Sequence, residues 1–224
     1  MKTIRSSIFC LVVLLLLAPL LRAQDLSQYR HFTLGMSLTR VLERTDQKMA
    51  DVKLIHGRPA LIQELTWWPP NLPGASFQAD PVEQILFSFY NGELYKISLT
   101  YDRASIEGLT ALDMMNAISA NHGPATNVVL EVDPAKIDSY EVKQRLVATW
   151  EDPQYSFNLV RSFFTDGFGL VIYSKRANAE AELAIAEAVK LDKQEGPLRD
   201  AERQKKQTDD LEAARQKNQK SFRP

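Results

Sequence analysis

Apolar side chains recur along this chain in two rhythms. In "VEQILFSFYNGELYKISLTY", residues 82–101, Ile85, Phe87 and Phe89 alternate with other side chains on the way up, and Tyr95, Ile97 and Leu99 alternate on the way down. Period two belongs to strands with one buried face. It predicts strands over roughly 52–56, 60–68, 83–90 and 93–101, and again over roughly 126–131, 142–150, 154–163 and 167–174.

The second rhythm is helical. "FTLGMSLTRVLERT" offers Gly35, Ser37 as an N-cap, then Leu38, Val41 and Leu42 at helical spacing. "IEGLTALDMMNAISANHGPA" places Leu109, Leu112, Met115 (or Met114) and Ile118 on one helical face and stops at Gly123-Pro124. Each helix precedes four strands, so the chain reads twice: repeat 1 over 24–103 and repeat 2 over 104–176. Tyr95, Ile97, Leu99 and Tyr101 match Phe168, Leu170, Ile172 and Ser174 at an offset of 73. Trp67 and Trp150 each end a middle strand at an offset of 83, because "WPPNLPGASFQAD" in the first half stands where the second has only "EDPQ". One irregular sheet with two unrelated helices is the alternative reading of the same pattern.

The hairpin register follows from the apolar positions. A two-residue Asn91-Gly92 turn pairs Phe87 with Lys96 and splits the two apolar sets between faces. A three-residue loop, Tyr90-Asn91-Gly92 with Gly92 left-handed, pairs Phe87 with Tyr95 and Ile85 with Ile97. Burial of several large side chains, about 1.5–3 kcal/mol each, selects the second. Leu61, Leu65, Trp67, Ile85, Phe87, Phe89, Tyr95, Ile97 and Leu99 then face the helices. Glu64, Thr66, Trp68, Gln84, Ser88, Leu94, Lys96, Ser98 and Thr100 face away. In the second half Leu146, Ala148, Trp150, Phe157 and Leu159 look inward, and Lys143, Arg145, Val147, Thr149, Ser156 and Asn158 outward.

That outer face is mostly small and polar, with Trp68 and the long cations Lys96 and Arg145 standing out of it. Aromatics and cations carry much interface energy once desolvated, so these three are the candidate binding residues for a protein partner. The alternative is that the proline-rich loop 69–81 folds back over Trp68.

The start of the chain changes the setting. Lys2 and Arg5 precede an apolar run from Ile8 to Leu21, and "LRAQ" puts the small Ala23 before a polar stretch. Residues 1–23 read as a signal peptide cleaved before Gln24, with an uncleaved anchor as the alternative. Cys10, the single cysteine, lies inside that run, so the mature chain is expected to have no disulfide, thiol nucleophile or thiolate metal site. Removing Lys2, Arg5 and Arg22 from the 27 basic residues leaves 24 against 28 acidic ones, a balance of −4 that gives no reason to expect nucleic acid. A soluble periplasmic or secreted protein is expected, with no stable membrane anchor after cleavage.

From Ala177 the composition shifts. "ANAEAELAIAEAVKLDKQ" carries a narrow stripe of Ala181, Ala184, Ile185, Ala188, Val189 and Leu191. Gly196-Pro197 is expected to interrupt the helix, and the polar 198–224 cannot bury a face. The tail, 177–224, is therefore read as a charged helical or partly disordered extension.

No motif carries catalysis. His31, His56 and His122 lie at no metal-ligand spacing, and there is no GxSxG, phosphate loop or Cys/His pair. Glu151-Asp152 beside Pro153 is turn chemistry. No cofactor, metal or catalytic residue is expected.

A helix opened through "LGMSLTRV", followed by an antiparallel sheet and then repeated, resembles the β-lactamase-inhibitory-protein-like fold over residues 30 to 175. The small lipoproteins of the outer-membrane β-barrel assembly machinery carry the same unit once. The resemblance implies protein binding without catalysis; unlike those lipoproteins, this chain has no lipid-attachment cysteine. The expectation is an α+β protein of two tandem helix-plus-antiparallel-sheet repeats with a C-terminal helical extension, binding a cell-envelope protein through its outer sheet face. A structural component tethered by the C-terminal arm and a small hydrolase with an unrecognised site are the alternatives.

Overall fold

The structure, a computed structural model, describes residues 25–70, 81–129, 144–162, 167–221 and 223. The leader, most of the 69–81 loop and Lys143 lie outside these residues.

Both short helices open on the caps their sequences provide. Ser37 is extended and its hydroxyl accepts from the Arg40 amide, opening α1, Leu38–Thr45. Thr110 and Asp113 form a reciprocal capping box at the start of α2, Ala111–His122, and Gly123 at φ 69° ends it. A cap at Thr110 leaves Leu109 outside the helix. Met114 and Ile118 are the buried positions, while Leu109 and Leu112 are 46% and 52% exposed, which corrects the expected face.

Strands β1, Gln28–Tyr29, and β2, Phe32–Thr33, form a small ribbon. The others are β3, Lys53–His56; β4, Ile62–Trp67; β5, Val82–Tyr90; β6, Glu93–Tyr101; β7, Asn127–Val128; β8, Gln144–Glu151; β9, Tyr155–Ser162; and β10, Phe168–Ser174. They make one antiparallel sheet in the order β3-β4-β5-β6-β10-β9-β8-β7. The last strands of the two halves meet at its centre, where Ile97 pairs with Ile172 and Leu99 with Leu170. A Cβ at position 169 would overlap the Leu99 carbonyl oxygen, so this seam requires Gly169.

One apolar layer lines the inner face. Val41 of α1, Met114 and Ile118 of α2, and Phe32 pack with Leu65, Phe87, Ile97, Ile172, Leu159 and Trp150 in a single core spanning both halves. Trp150 is 1% exposed, and its indole nitrogen donates to the Gly123 carbonyl at 2.9 Å, which ties the end of α2 to the sheet. Trp67 is half-buried rather than enclosed, with its ring 5.8 Å from that of Phe32.

The hairpin departs from the expected register. Asn91 and Gly92 both have positive φ, 51° and 83°, in a two-residue turn that pairs Tyr90 with Glu93. A bulge follows: Phe89 pairs with Leu94 and Ser88 with Lys96, leaving Tyr95 as the extra residue. Phe87 consequently faces Ile97. The apolar face is kept, but its shift is made inside the strand. Leu94, expected outside, is 1% exposed within the core, and Tyr95, expected inside, joins Ile62 on the opposite face. Leu61, also expected inside, precedes β4 and is 38% exposed. A second bulge between Leu146 and Ala148 likewise turns Val147 into the core and leaves Leu146 half-buried.

The third helix, α3, runs without interruption over Lys175–Ser221 and contains Pro197, so the expected break at Gly196-Pro197 does not occur. Pro197 cannot donate to the Lys193 carbonyl. Asp192 and Arg199 flank that gap with a 2.8 Å hydrogen bond.

Candidate functional site

Strand register sorts the outer face into cross-strand rows. One row runs Thr66, Leu86, Ser98, Val171, Asn158, Thr149, each paired with the next. A second runs Glu64, Ser88, Lys96, Tyr173, Ser156, Glu151. In the first, Thr66, Leu86, Ser98 and Val171 are half-buried. Thr149, Ser156 and Asn158 are buried and bonded together: the Thr149 hydroxyl reaches the Asn158 amide oxygen at 3.0 Å, and the Asn158 amide nitrogen donates to Ser156 and to the Val171 carbonyl. These three outer-face groups of the second half thus satisfy one another within the sheet.

The start of α3 covers part of this face. Ala181 is fully buried against Ile62 and Tyr95, with Ile55, Tyr90, Ala177 and Ile185 packed around them. Alanines at the contact let the helix approach the strands closely. Burial first, and the Glu64 carboxylate second, push the Tyr95 phenol above its ordinary pKa. Farther along, Ala188 is 2% exposed, Glu195 takes an ion pair from Arg58, and Asp192 lies 4.0 Å from His56. The hydrogen bond from Arg199 holds the Asp192 carboxyl below its ordinary range, and that from Arg58 does the same for Glu195. Val189, expected in the apolar stripe, is 56% exposed. Beyond Gly196 every described residue of the helix is exposed.

The three candidate binding residues do not form one cluster. Trp68 follows β4 and is 62% exposed. Lys96 lies on the outer face as expected, but its ammonium stands 5.4 Å from the Tyr95 ring centre, at the side of α3. Arg145 is corrected. It pairs with Arg161, whose guanidinium stands 5.4 Å from the ring centre of the core residue Phe168. Paired side chains share a face, so the Leu146 bulge has moved Arg145 to the helix side.

At the rim of the outer face, a cleft of about 420 Å³ opens between the start of α3 and the β5–β6 turn. Tyr90, Tyr95 and Tyr155 line it with Ser174, Arg176 and Glu180. Its lining mixes three phenols with the opposite charges of Arg176 and Glu180. Among the described residues, no group of three or more His, Cys, Asp or Glu is placed to hold a metal ion.

Sequence reasoning missed two features of the site: α3 as a cover and Tyr95 beneath it. The signal for the first was the spacing of Ala177, Ala181, Ile185 and Ala188, three residues four apart and one three later, which defines one face of a helix. No helix of the described residues is long and apolar enough to cross a membrane. No protein-family model, curated protein or solved structure matches the chain.

Proposed function

We propose that this chain is an exported, non-catalytic protein-binding module of the cell envelope, and that its partner meets the part of the outer sheet face left open by α3. The observation that carries the reading is the fate of the adjacent tryptophans. Trp67 packs against Phe32 and Phe87, whereas Trp68 remains 62% exposed beside the half-buried row Thr66, Leu86, Ser98 and Val171. A large exposed indole next to an apolar and small-polar strip matches the composition of interface cores. Two tandem repeats fit the same reading. Each half contributes one short helix and four strands of the eight-stranded sheet, and the mirror-like strand order joins their last strands.

Pull-down from envelope extract with the wild type, Trp68→Ala and a chain ending at Gly196 tests the proposal. The expected result is a partner retained by the shortened chain and lost with Trp68→Ala. A partner lost on shortening but retained by Trp68→Ala overturns it in favour of tethering by the arm. Mass spectrometry of the exported protein checks the other half of the reading, which requires a mature start at Gln24.

A further inference from the structure

The outer half of α3 is fully exposed, and its charge is not evenly spread. Between 199 and 212, cations and carboxylates interleave: Arg203 lies 3.8 Å from Asp200, and Lys206 is four residues from both Glu202 and Asp210. From 215 onward the pattern ends. Arg215, Lys217, Lys220 and Arg223 fall within ten residues, and all 28 carboxylates of the chain precede them. Those ten residues carry +4 on a chain whose total is −1. All four cations are exposed, and none makes an ion pair among the described residues.

We propose that this basic end of α3 binds an anionic phospholipid surface. Distance is the first support. Glu195 pairs with Arg58 in the loop between β3 and β4, and the 20 residues from there to Arg215 extend about 30 Å at 1.5 Å per residue. The Debye length is about 8 Å at physiological ionic strength, so the acidic body does not neutralise the far end. Arrangement is the second. At about 100° per residue, Lys217 and Lys220 lie about 60° apart and Arg215 stands well away from both, so the cations spread over about 200° of the helix surface rather than along one narrow stripe. A spread that broad suits an extended, charge-dense plane better than a narrow groove, which a single stripe would fit. Four cations suffice for reversible attraction to anionic headgroups and not for anchoring. The helix end also favours cations there, through the partial negative charge of its last carbonyls, but that effect is confined to the final turn and does not reach Arg215.

Flotation of the full chain with vesicles containing phosphatidylglycerol, against vesicles of phosphatidylcholine alone as background, tests this. The variant Arg215→Gln, Lys217→Gln, Lys220→Gln, Arg223→Gln is expected to partition at least about tenfold more weakly onto the anionic vesicles. Wild-type binding is expected to collapse between about 0.05 and 0.5 M salt. Lys205→Gln with Lys206→Gln, in the charge-balanced stretch, is expected to bind as the wild type does, and circular dichroism should show equal helicity in all three proteins. Equal partitioning of wild type and quadruple variant overturns the proposal. So does an equal loss in the Lys205, Lys206 variant, or binding to duplex DNA without binding to vesicles. The contact uses no residue of the sheet, so it stands or falls separately from the partner-binding role of Trp68.

Discussion

Phe87 pairs with Ile97, and the two are held on one face because Tyr95 bulges out of β6 between Leu94 and Lys96. The bulge does two jobs. It corrects the alternation for the core, and it delivers an aromatic ring to the other side of the sheet, under α3.

Tyr95 should therefore matter to the helix more than to the core. Tyr95→Ala is expected to loosen the start of α3, read as faster proteolysis between Lys175 and Lys190, with a stability loss of about 3 kcal/mol. Deleting Tyr95 outright restores plain alternation, so the deleted protein should still fold with Phe87 opposite Ile97. Deleting Leu94 restores the same alternation but puts the Tyr95 ring into the enclosed slot of Leu94, so it should be the less stable of the two. Chemical denaturation of the two deletions distinguishes them.

The tryptophan pair should separate in thermal melts. Trp67→Ala removes a ring packed on Phe32 and Phe87 and should cost about 3 kcal/mol. Trp68→Ala should stay within about 0.5 kcal/mol of the wild type. Equal losses would place both indoles in the core and remove the basis for a binding strip at Trp68.

Stability should fall on mild acidification. Burial lowers the pKa of His122, whose ring lies 4.6 Å from that of Phe157. Burial, then Arg44 and Arg30, lower that of His31. The unfolded chain binds these protons more readily, so the contribution is present above the ordinary value of 6.5 and is lost as pH drops from there through the lower folded values. Melting temperature is expected to decrease as the pH falls below about 6.5, and less steeply in His122→Gln. An unchanged slope in the variant would assign the effect to other groups.

Shortening the chain should have a sharp threshold. Ending it at Gly196 removes no described residue that is buried and should leave the melting temperature unchanged. Ending it at Ser174 uncovers Ile62 and Tyr95, each worth about 1.5–3 kcal/mol when buried, and should cause marked destabilisation. Calorimetry on the two proteins is the measurement.

The sequence by itself determined the elements. Period-two runs located the strands of the large sheet to within about three positions but not the short β1 and β2, and Ser37, Gly92 and Gly123 marked a helix start, a hairpin turn and a helix end, because caps and left-handed turns are chosen by the residues that form them. It determined the composition of the core as well, since Phe87, Phe89, Ile97, Leu159 and Ile172 have no favourable place but the inside. Tertiary structure decided which face each strand residue took once a bulge intervened. Tyr95, Leu94, Val147 and Arg145 all lie at or just beyond a one-residue slip, which reverses the side of every position it passes and leaves no local mark in the sequence. It also decided what covers the sheet. The alanine face of α3 is too weakly apolar to predict its own burial, and it docks because Ile62 and Tyr95, far away along the chain, offer a shallow apolar surface that only small side chains can approach.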